Sequence, residues 1–305
     1  MTRPHVPSLD ALLAAGVQWG RLRGHSPEMK RYLLSDDAHR WRYSIFDVPC
    51  STTPMLEEAL IFLEQVAASG RDVLFVGCTP AARHAVAIAA QRCDSPYVSA
   101  RWVGGTLSNH SSIKRAITLL DNGDAPAPSA ALTGAAAKKA AMIAAKRRER
   151  AERKFGGLRG LKRLPGALFV VDAAKHAAAL AEAQTTRIPV VAICDSDAHD
   201  PLQLAHPIPA NAQGPAAVRL LAELAARAVM CGKKMEPPEA TWEREVAETG
   251  AAGEDDDDEF AFFRTWRVAP LRTSLSGTGH KLRRRLTRGG RKGGALGRTQ
   301  RRLAV

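Results

Sequence analysis

Three runs of this chain are apolar from end to end, and each stops at a glycine or an acid. They are Val73-Leu74-Phe75-Val76 before Gly77, Ala167-Leu168-Phe169-Val170-Val171 before Asp172, and Pro189-Val190-Val191-Ala192-Ile193-Cys194 before Asp195. A half-exposed strand alternates apolar and polar residues. A continuous apolar run of this length belongs to a strand covered on both faces, which is the mark of a parallel sheet. Helical patterns fill the intervals: Met55 to Ala68, Ala81 to Arg92, Ala174 to Thr185 and Gly214 to Cys231. Strand, turn and helix in repeated order predict an α/β fold, a flavodoxin-like (Rossmann-like) parallel sheet with helices on both faces. Tyr32-Leu33-Leu34, Ser44-Ile45-Phe46 and His206-Pro207-Ile208-Pro209 read as further short strands. The segments Gly16 to Gly20 and Ser26 to Lys30 read as loops.

The alternation breaks after Tyr97-Val98-Ser99-Ala100-Arg101-Trp102-Val103-Gly104-Gly105-Thr106-Leu107-Ser108-Asn109. Two readings fit this stretch. Gly-Gly followed by Ser and Asn is an ordinary turn and helix cap, with Trp102 in the core. The same residues also make a backbone surface for phosphates, with Arg101 as a charge and Trp102 as a stacking face. Ile113, Ala116, Ile117 and Leu120 then recur at helical spacing. A second helix, about Leu132 to Phe155, follows a Pro/Ala/Gly/Asp loop. The two helices predict a hairpin in which Ile113, Ile117 and Leu120 face Leu132, Met142 and Ile143. The domain reading is therefore an α/β core over 1–107 and 166–232, an inserted basic helical hairpin over 108–165, and a C-terminal extension over 233–305.

Charge divides along the same lines. The formal net charge is +13. Lys138 to Arg163 carries a net +9, and Leu271 to Val305 carries +11 with no acid, which leaves −7 for the rest. Two basic appendages on an acidic remainder point to a polyanionic partner touched in two places. The extension also holds the acid run Glu254 to Glu259 and the aromatics Phe260, Phe262, Phe263 and Trp266, which can dock either on a protein neighbour or on the chain's own core. No apolar run reaches the ~18 residues that cross a bilayer, so no membrane partner is expected.

Motifs for catalysis are weak. Gly77-Cys78-Thr79-Pro80 sits where a phosphate loop would sit but has neither Gly-x-x-x-x-Gly-Lys-Ser/Thr nor Gly-x-Gly-x-x-Gly. Asp195, Asp197, His199 and Asp200 offer oxygen ligands and an imidazole, and acids in that setting also stabilise turns. Asp172 and Asp195 end two apolar strands. The five cysteines are scattered without a Cys-x-x-Cys pair, as expected of small buried hydrophobes. No cofactor, metal or small-molecule substrate is expected. The rival reading is a nucleotide- or sugar-phosphate-binding α/β enzyme using the Gly77 and Gly104 turns.

Several blocks resemble one family in order: Gly16-Val17-Gln18-Trp19-Gly20, Pro27-Glu28-Met29-Lys30, Leu74-Phe75-Val76-Gly77, Arg101-Trp102-Val103-Gly104-Gly105-Thr106-Leu107-Ser108-Asn109, Leu164 to Asp172 and Ile188 to Asp195. The family is the universal small-subunit ribosomal protein number two, bacterial and organellar branch, and the resemblance spans roughly Leu9 to Cys231. It implies a non-catalytic role in the small ribosomal subunit, with small-subunit rRNA and neighbouring small-subunit ribosomal proteins as partners. Arg101, Trp102, Gly104, Gly105, Thr106 and Asn109 match the signature block, and Lys30, Lys162 and Arg163 match basic positions. Charge adds Arg21 and Arg23 in the N-terminal segment, Lys114 and Arg115 on the first arm helix, Lys146, Arg147 and Arg148 on the second, and Arg283, Arg284 and Arg285 in the tail. Gln18 and Arg21 stand where the family usually has histidines, Asp47-Val48-Pro49-Cys50-Ser51 departs from its pattern, and the tail past Gly232 is extra. These departures suggest a mitochondrial ribosome, with a plastid or the bacterial cytoplasm as alternatives.

Overall fold

A computed structural model describes residues 6–22, 24–34, 43–121 and 135–235. The expectations for Arg23, for the acid run and aromatic cluster, and for Arg283, Arg284 and Arg285 lie outside the described residues.

The three apolar runs become β3 (Val73–Val76), β5 (Ala167–Val171) and β6 (Val190–Cys194). With β4 (Tyr97–Val98) and β7 (His206–Pro209) they form one parallel sheet in the order β4-β3-β5-β6-β7. That is the doubly wound, flavodoxin-like order. Successive side chains leave a strand on opposite faces. Val73, Phe75, Phe169, Val171, Val191 and Ile193 accordingly enter one buried cluster, and Leu74, Val76, Leu168, Val170, Ala192 and Cys194 the other. Both faces are dry, which is why these runs contain no polar position.

The first face is covered by α2 (Thr53–Ala68), α3 (Pro80–Arg92) and α7 (Pro215–Gly232), with α1 (Leu9–Ala14) alongside. Leu56, Leu60 and Leu63, spaced along one side of α2, are buried in this cluster. Gly77 follows β3, and a Cβ there would stand 2.6 Å from Val86 Cγ2 of α3. The glycine is therefore required for helix-on-strand packing.

The second face is covered by α6 (Ala177–Thr186), by α4 (His110–Asp121) and by the N-terminal segment. This segment departs from the expected pattern. Pro27–Tyr32 is a 3-10 helix, and Met29 and Tyr32, three residues apart, bury the same side of it. Tyr32-Leu33-Leu34 is thus no strand; Leu33 makes a single bridge to Phe46. Within the stretch expected to be a loop, Trp19 begins β1 (Trp19–Leu22), which pairs antiparallel with β2 (Tyr43–Ile45).

The arm also differs. The second arm helix is α5 (Ala135–Phe155). Ile113 and Ile117 of α4 are buried among Val98, Leu107, Leu158 and Leu161, at the edge of the sheet. Met142 and Ile143 of α5 are 55% and 41% exposed. Ile113 and Ile117 thus serve the sheet face, while Met142 and Ile143 stand largely in solvent. The side chains of Leu120 and Leu132 lie outside the description.

The sheet is closed at its β7 margin. The Ala210 N–H points inward to the Cys194 carbonyl, so the alternate residues Pro207 and Pro209 face outward, and proline has no N–H to present there. The Thr52 hydroxyl donates to the outward Pro209 carbonyl at 2.6 Å.

Candidate nucleic-acid interface

The glycine turn of the signature block is built around a residue from elsewhere. Gly105 has φ +88°, which reverses the chain. The reversal turns a set of donors to one side, and Glu182 of α6 fills the hollow. Its Oε1 accepts from the Trp102 indole N–H at 3.0 Å and from Gly105 N at 2.8 Å. Its Oε2 accepts from Leu107 N at 2.9 Å, Ser108 N at 3.3 Å and Ser108 Oγ at 3.4 Å. Burial works to raise the Glu182 carboxyl, but the bonds from Leu107, Trp102, Gly105 and Ser108 outweigh it and hold the group below its ordinary range. Nothing in the sequence singles Glu182 out.

This placement bears on three expectations and favours the reading with Trp102 in the core. The Gly-Gly backbone is an anion cradle, as read, but its anion is internal. Thr106 is 1% exposed, and its hydroxyl donates to the Val103 carbonyl at 2.6 Å; it closes the turn and does not reach outward. Trp102 packs on the second apolar cluster and is likewise not a free stacking face. Arg101, Gly104 and Asn109 remain exposed.

The crevice where such sheets bind ligands lies beyond the carboxyl ends of β3 and β5. Here the His176 side chain reaches into it. The Cys78 N–H donates to His176 Nε2 at 3.1 Å, and His176 Nδ1 lies 2.9 Å from the Asp172 carbonyl. Both bonds suit the neutral Nδ1–H imidazole. Asp172 holds this arrangement at φ +67°, a left-handed conformation rare outside glycine. The Cys78 amide of the Gly77 turn is therefore already engaged and is not offered to a phosphate, which counts against the enzyme reading at that turn.

Arg21, expected to meet RNA, turns inward beside this crevice. Its guanidinium lies 3.3 Å from Asp172, 3.7 Å from Asp195 and 2.7 Å from Asp197, while the Arg21 backbone N–H donates to Ser196 Oγ at 2.8 Å. Asp172 and Asp195 are each 2% exposed. Burial pushes the Asp195 carboxyl up to about 7 and the Asp172 carboxyl up as well, with Arg21 opposing both. Three carboxylates share one guanidinium, so the cluster carries an excess of acid that a proton relieves. The two strand-end acids are thus a docking site for the N-terminal hairpin. Among the described residues no group of three or more His, Cys, Asp or Glu is arranged to hold a metal, and no helix is long and apolar enough to cross a membrane.

The remaining cations lie on the outside. Lys30 is exposed on the 3-10 helix, Lys114 and Arg115 on α4, and Lys146, Arg147 and Arg148 on α5. Lys162 and Arg163 are exposed where the arm returns, and Arg163 donates to the Gly70 carbonyl, just ahead of β3. That position is at the opposite end of the sheet from Arg21 and Gly77. The candidates thus do not form one site: the loop and α4 adjoin, and Lys162 and Arg163 stand apart.

Comparison with known proteins identifies the family. The family model described as "Ribosomal protein S2" matches residues 12–232. The small ribosomal subunit protein uS2 of Acidothermus cellulolyticus is 37% identical over 228 residues, covering 74% of this chain and 81% of that protein. The uS2 proteins of Bifidobacterium animalis and Corynebacterium kroppenstedtii are 34% and 35% identical, covering 79% and 83% of this chain and 82% and 85% of their own lengths. With a family model across its α/β core and relatives at this identity over most of its length, the chain belongs to the ribosomal protein S2 family.

Proposed function

We infer that this chain is a structural, non-enzymatic component of the small ribosomal subunit and that it binds small-subunit rRNA. The observation that carries the RNA reading is α5, whose side chains Lys138, Lys139, Lys146, Arg147, Arg148 and Arg150 are all exposed. A helix that places its cations in solvent and leaves Met142 and Ile143 uncovered gains little from the core. Such a surface suits phosphate contacts that position a protein without reading sequence. The exposed Arg101, Gly104 and Asn109, with Lys114 and Arg115 beside them, form a second surface of the same kind. A Cβ on Gly104 would meet nothing within 4 Å, so the chain itself does not need glycine there, and close approach of RNA backbone explains it. Lys30, Lys162 and Arg163 add further phosphate contacts. Arg21 and Thr106 serve the fold.

The compartment follows from the ribosome. The three relatives are bacterial, which favours the bacterial cytoplasm; Gln18 and Arg21 in place of the family's usual histidines are what favour a mitochondrion.

The test is sedimentation of the native protein from lysate, with and without ribonuclease. Comigration with the small subunit, collapsing to the top of the gradient after ribonuclease, is the expected result. Sedimentation as a free protein in both conditions would overturn the reading.

A further inference from the structure

We propose that Glu182 is the positioning residue of the RNA-facing loop: its carboxylate stands among the loop's donors where a phosphate would otherwise sit, so that rRNA is met by Arg101, Gly104 and Asn109 and not by backbone N–H groups. The proposal rests on the RNA-binding reading above.

The cradle is made of backbone N–H groups from Gly105, Leu107 and Ser108, joined by the Trp102 indole and the Ser108 hydroxyl. Concave sets of N–H groups after a left-handed residue attract anions without regard to what carries the charge. Left open on an RNA-binding surface, the cradle would take whichever phosphate came first, and the loop would settle differently on each. A carboxylate tethered to α6 removes that freedom. Glu182 is the only charged residue of α6, which otherwise reads Ala-Ala-Ala-Leu-Ala, then Ala-Gln-Thr-Thr, so the charge is not part of a solvated face.

The anchoring points explain what stays outside. Trp102 is held on one side of Gly104, and Gly105, Leu107 and Ser108 on the other. Thr106 locks the turn to Val103. Arg101 and Asn109 flank the fixed segment, and Asn109 begins α4 by accepting from Ser112 N at 3.1 Å. Glu182 thereby sets the direction of Arg101 relative to the first turn of α4, and with it the spacing from Arg101 to Lys114 and Arg115.

The test uses the full chain as wild type, Glu182→Ala and Glu182→Gln, and a small-subunit rRNA transcript as the probe. Two readouts are taken: hydrogen exchange at Gly105, Leu107 and Ser108, and affinity for the transcript. Both are repeated in sodium formate against sodium chloride at matched ionic strength. In Glu182→Ala the three amides exchange at least about tenfold faster and RNA affinity falls about tenfold, the scale of one lost charge-assisted hydrogen bond. Formate restores both more fully than chloride at matched ionic strength, because its two oxygens can take the Gly105 and Leu107 donors as the two carboxylate oxygens do. Glu182→Gln, which keeps the acceptor without the charge, falls between and gains nothing from formate. A role for Glu182 confined to the fold predicts faster amide exchange in Glu182→Ala with unchanged RNA affinity, and that outcome overturns the proposal, as does an absence of recovery with formate. If the wild-type chain ignores the transcript while its three amides are protected as described, the RNA-binding reading has failed and only the internal fixing of the loop stands.

Discussion

The Nε of Arg21 lies 2.7 Å from a carboxylate oxygen of Asp197, and the bond joins β1 to the loop that follows β6. Removing the guanidinium leaves Asp172 and Asp195 buried with no counter-charge. Loss of one partner from a buried cluster is far costlier than loss of a surface pair. Arg21→Met is expected to lose about 3 kcal/mol in urea unfolding. A loss under about 0.5 kcal/mol would show that the cluster behaves as a surface pair.

The same cluster sets a pH dependence. The folded Asp195 carboxyl is raised by burial to about 7, and its ordinary value is 3.8. The folded chain then holds a proton that the unfolded chain releases between those values. The stabilisation is complete below the lower value and is lost as pH rises through about 7. Asp172 acts in the same direction. His206, lowered by burial, acts oppositely below its ordinary 6.5, and Glu182 contributes stability that is lost as pH falls through its lowered value. The diagnostic quantity is the difference between wild type and Asp195→Asn. Wild type is expected to lose stability relative to the variant between pH 5 and pH 8 in thermal melts, and parallel curves would refute the assignment.

Gly104 and Gly105 should answer differently to substitution. Gly105 at φ +88° strains any side chain, so Gly105→Ala is expected to destabilise by about 1–2 kcal/mol. Gly104 has open space where a Cβ would go, so Gly104→Leu should leave stability within about 0.5 kcal/mol and still weaken incorporation into the subunit. Calorimetry of both variants, paired with gradient sedimentation, separates the two roles. Normal incorporation of Gly104→Leu would remove Gly104 from the interface.

Salt dependence tests the basic appendages. Each phosphate contact adds about 0.7–0.9 to the log–log slope of affinity against salt. Replacing Lys146, Arg147 and Arg148 by Glu should flatten the slope by about 2, roughly three contacts' worth, without changing the melting temperature, since these side chains are exposed. Deleting Leu271 to Val305 should flatten it separately. An unchanged slope in either variant would exclude that segment from RNA binding.

What was legible in the sequence followed burial. Val73–Val76, Ala167–Val171 and Val190–Cys194 stand out because a strand covered on both faces admits no polar residue, and the sheet's parallel character came with them. β1 was not legible: Trp-Gly-Arg-Leu has no alternation, because Arg21 points at acids that the sequence places more than 150 positions away. Tyr32-Leu33-Leu34 misled because an apolar triplet also suits the end of a 3-10 turn. The signature block was recognisable as an anion-binding shape, while its occupant was not. Glu182 lies 74 to 80 positions from its partners in an alanine-rich helix, and only the winding of the sheet brings them together.

The prolines of β7 concern the time before the subunit exists. A free ribosomal protein must wait at appreciable concentration for its RNA, and an unpaired sheet margin is where waiting chains stick to one another. Pro207 and Pro209 strip the outward donors from that margin, and Thr52 occupies one of its acceptors. The opposite margin, Tyr97–Val98, is only two residues long. The five-stranded sheet so finished offers little ladder for a second copy to extend, which lowers the tendency of the free protein to self-associate before the nucleic acid claims it.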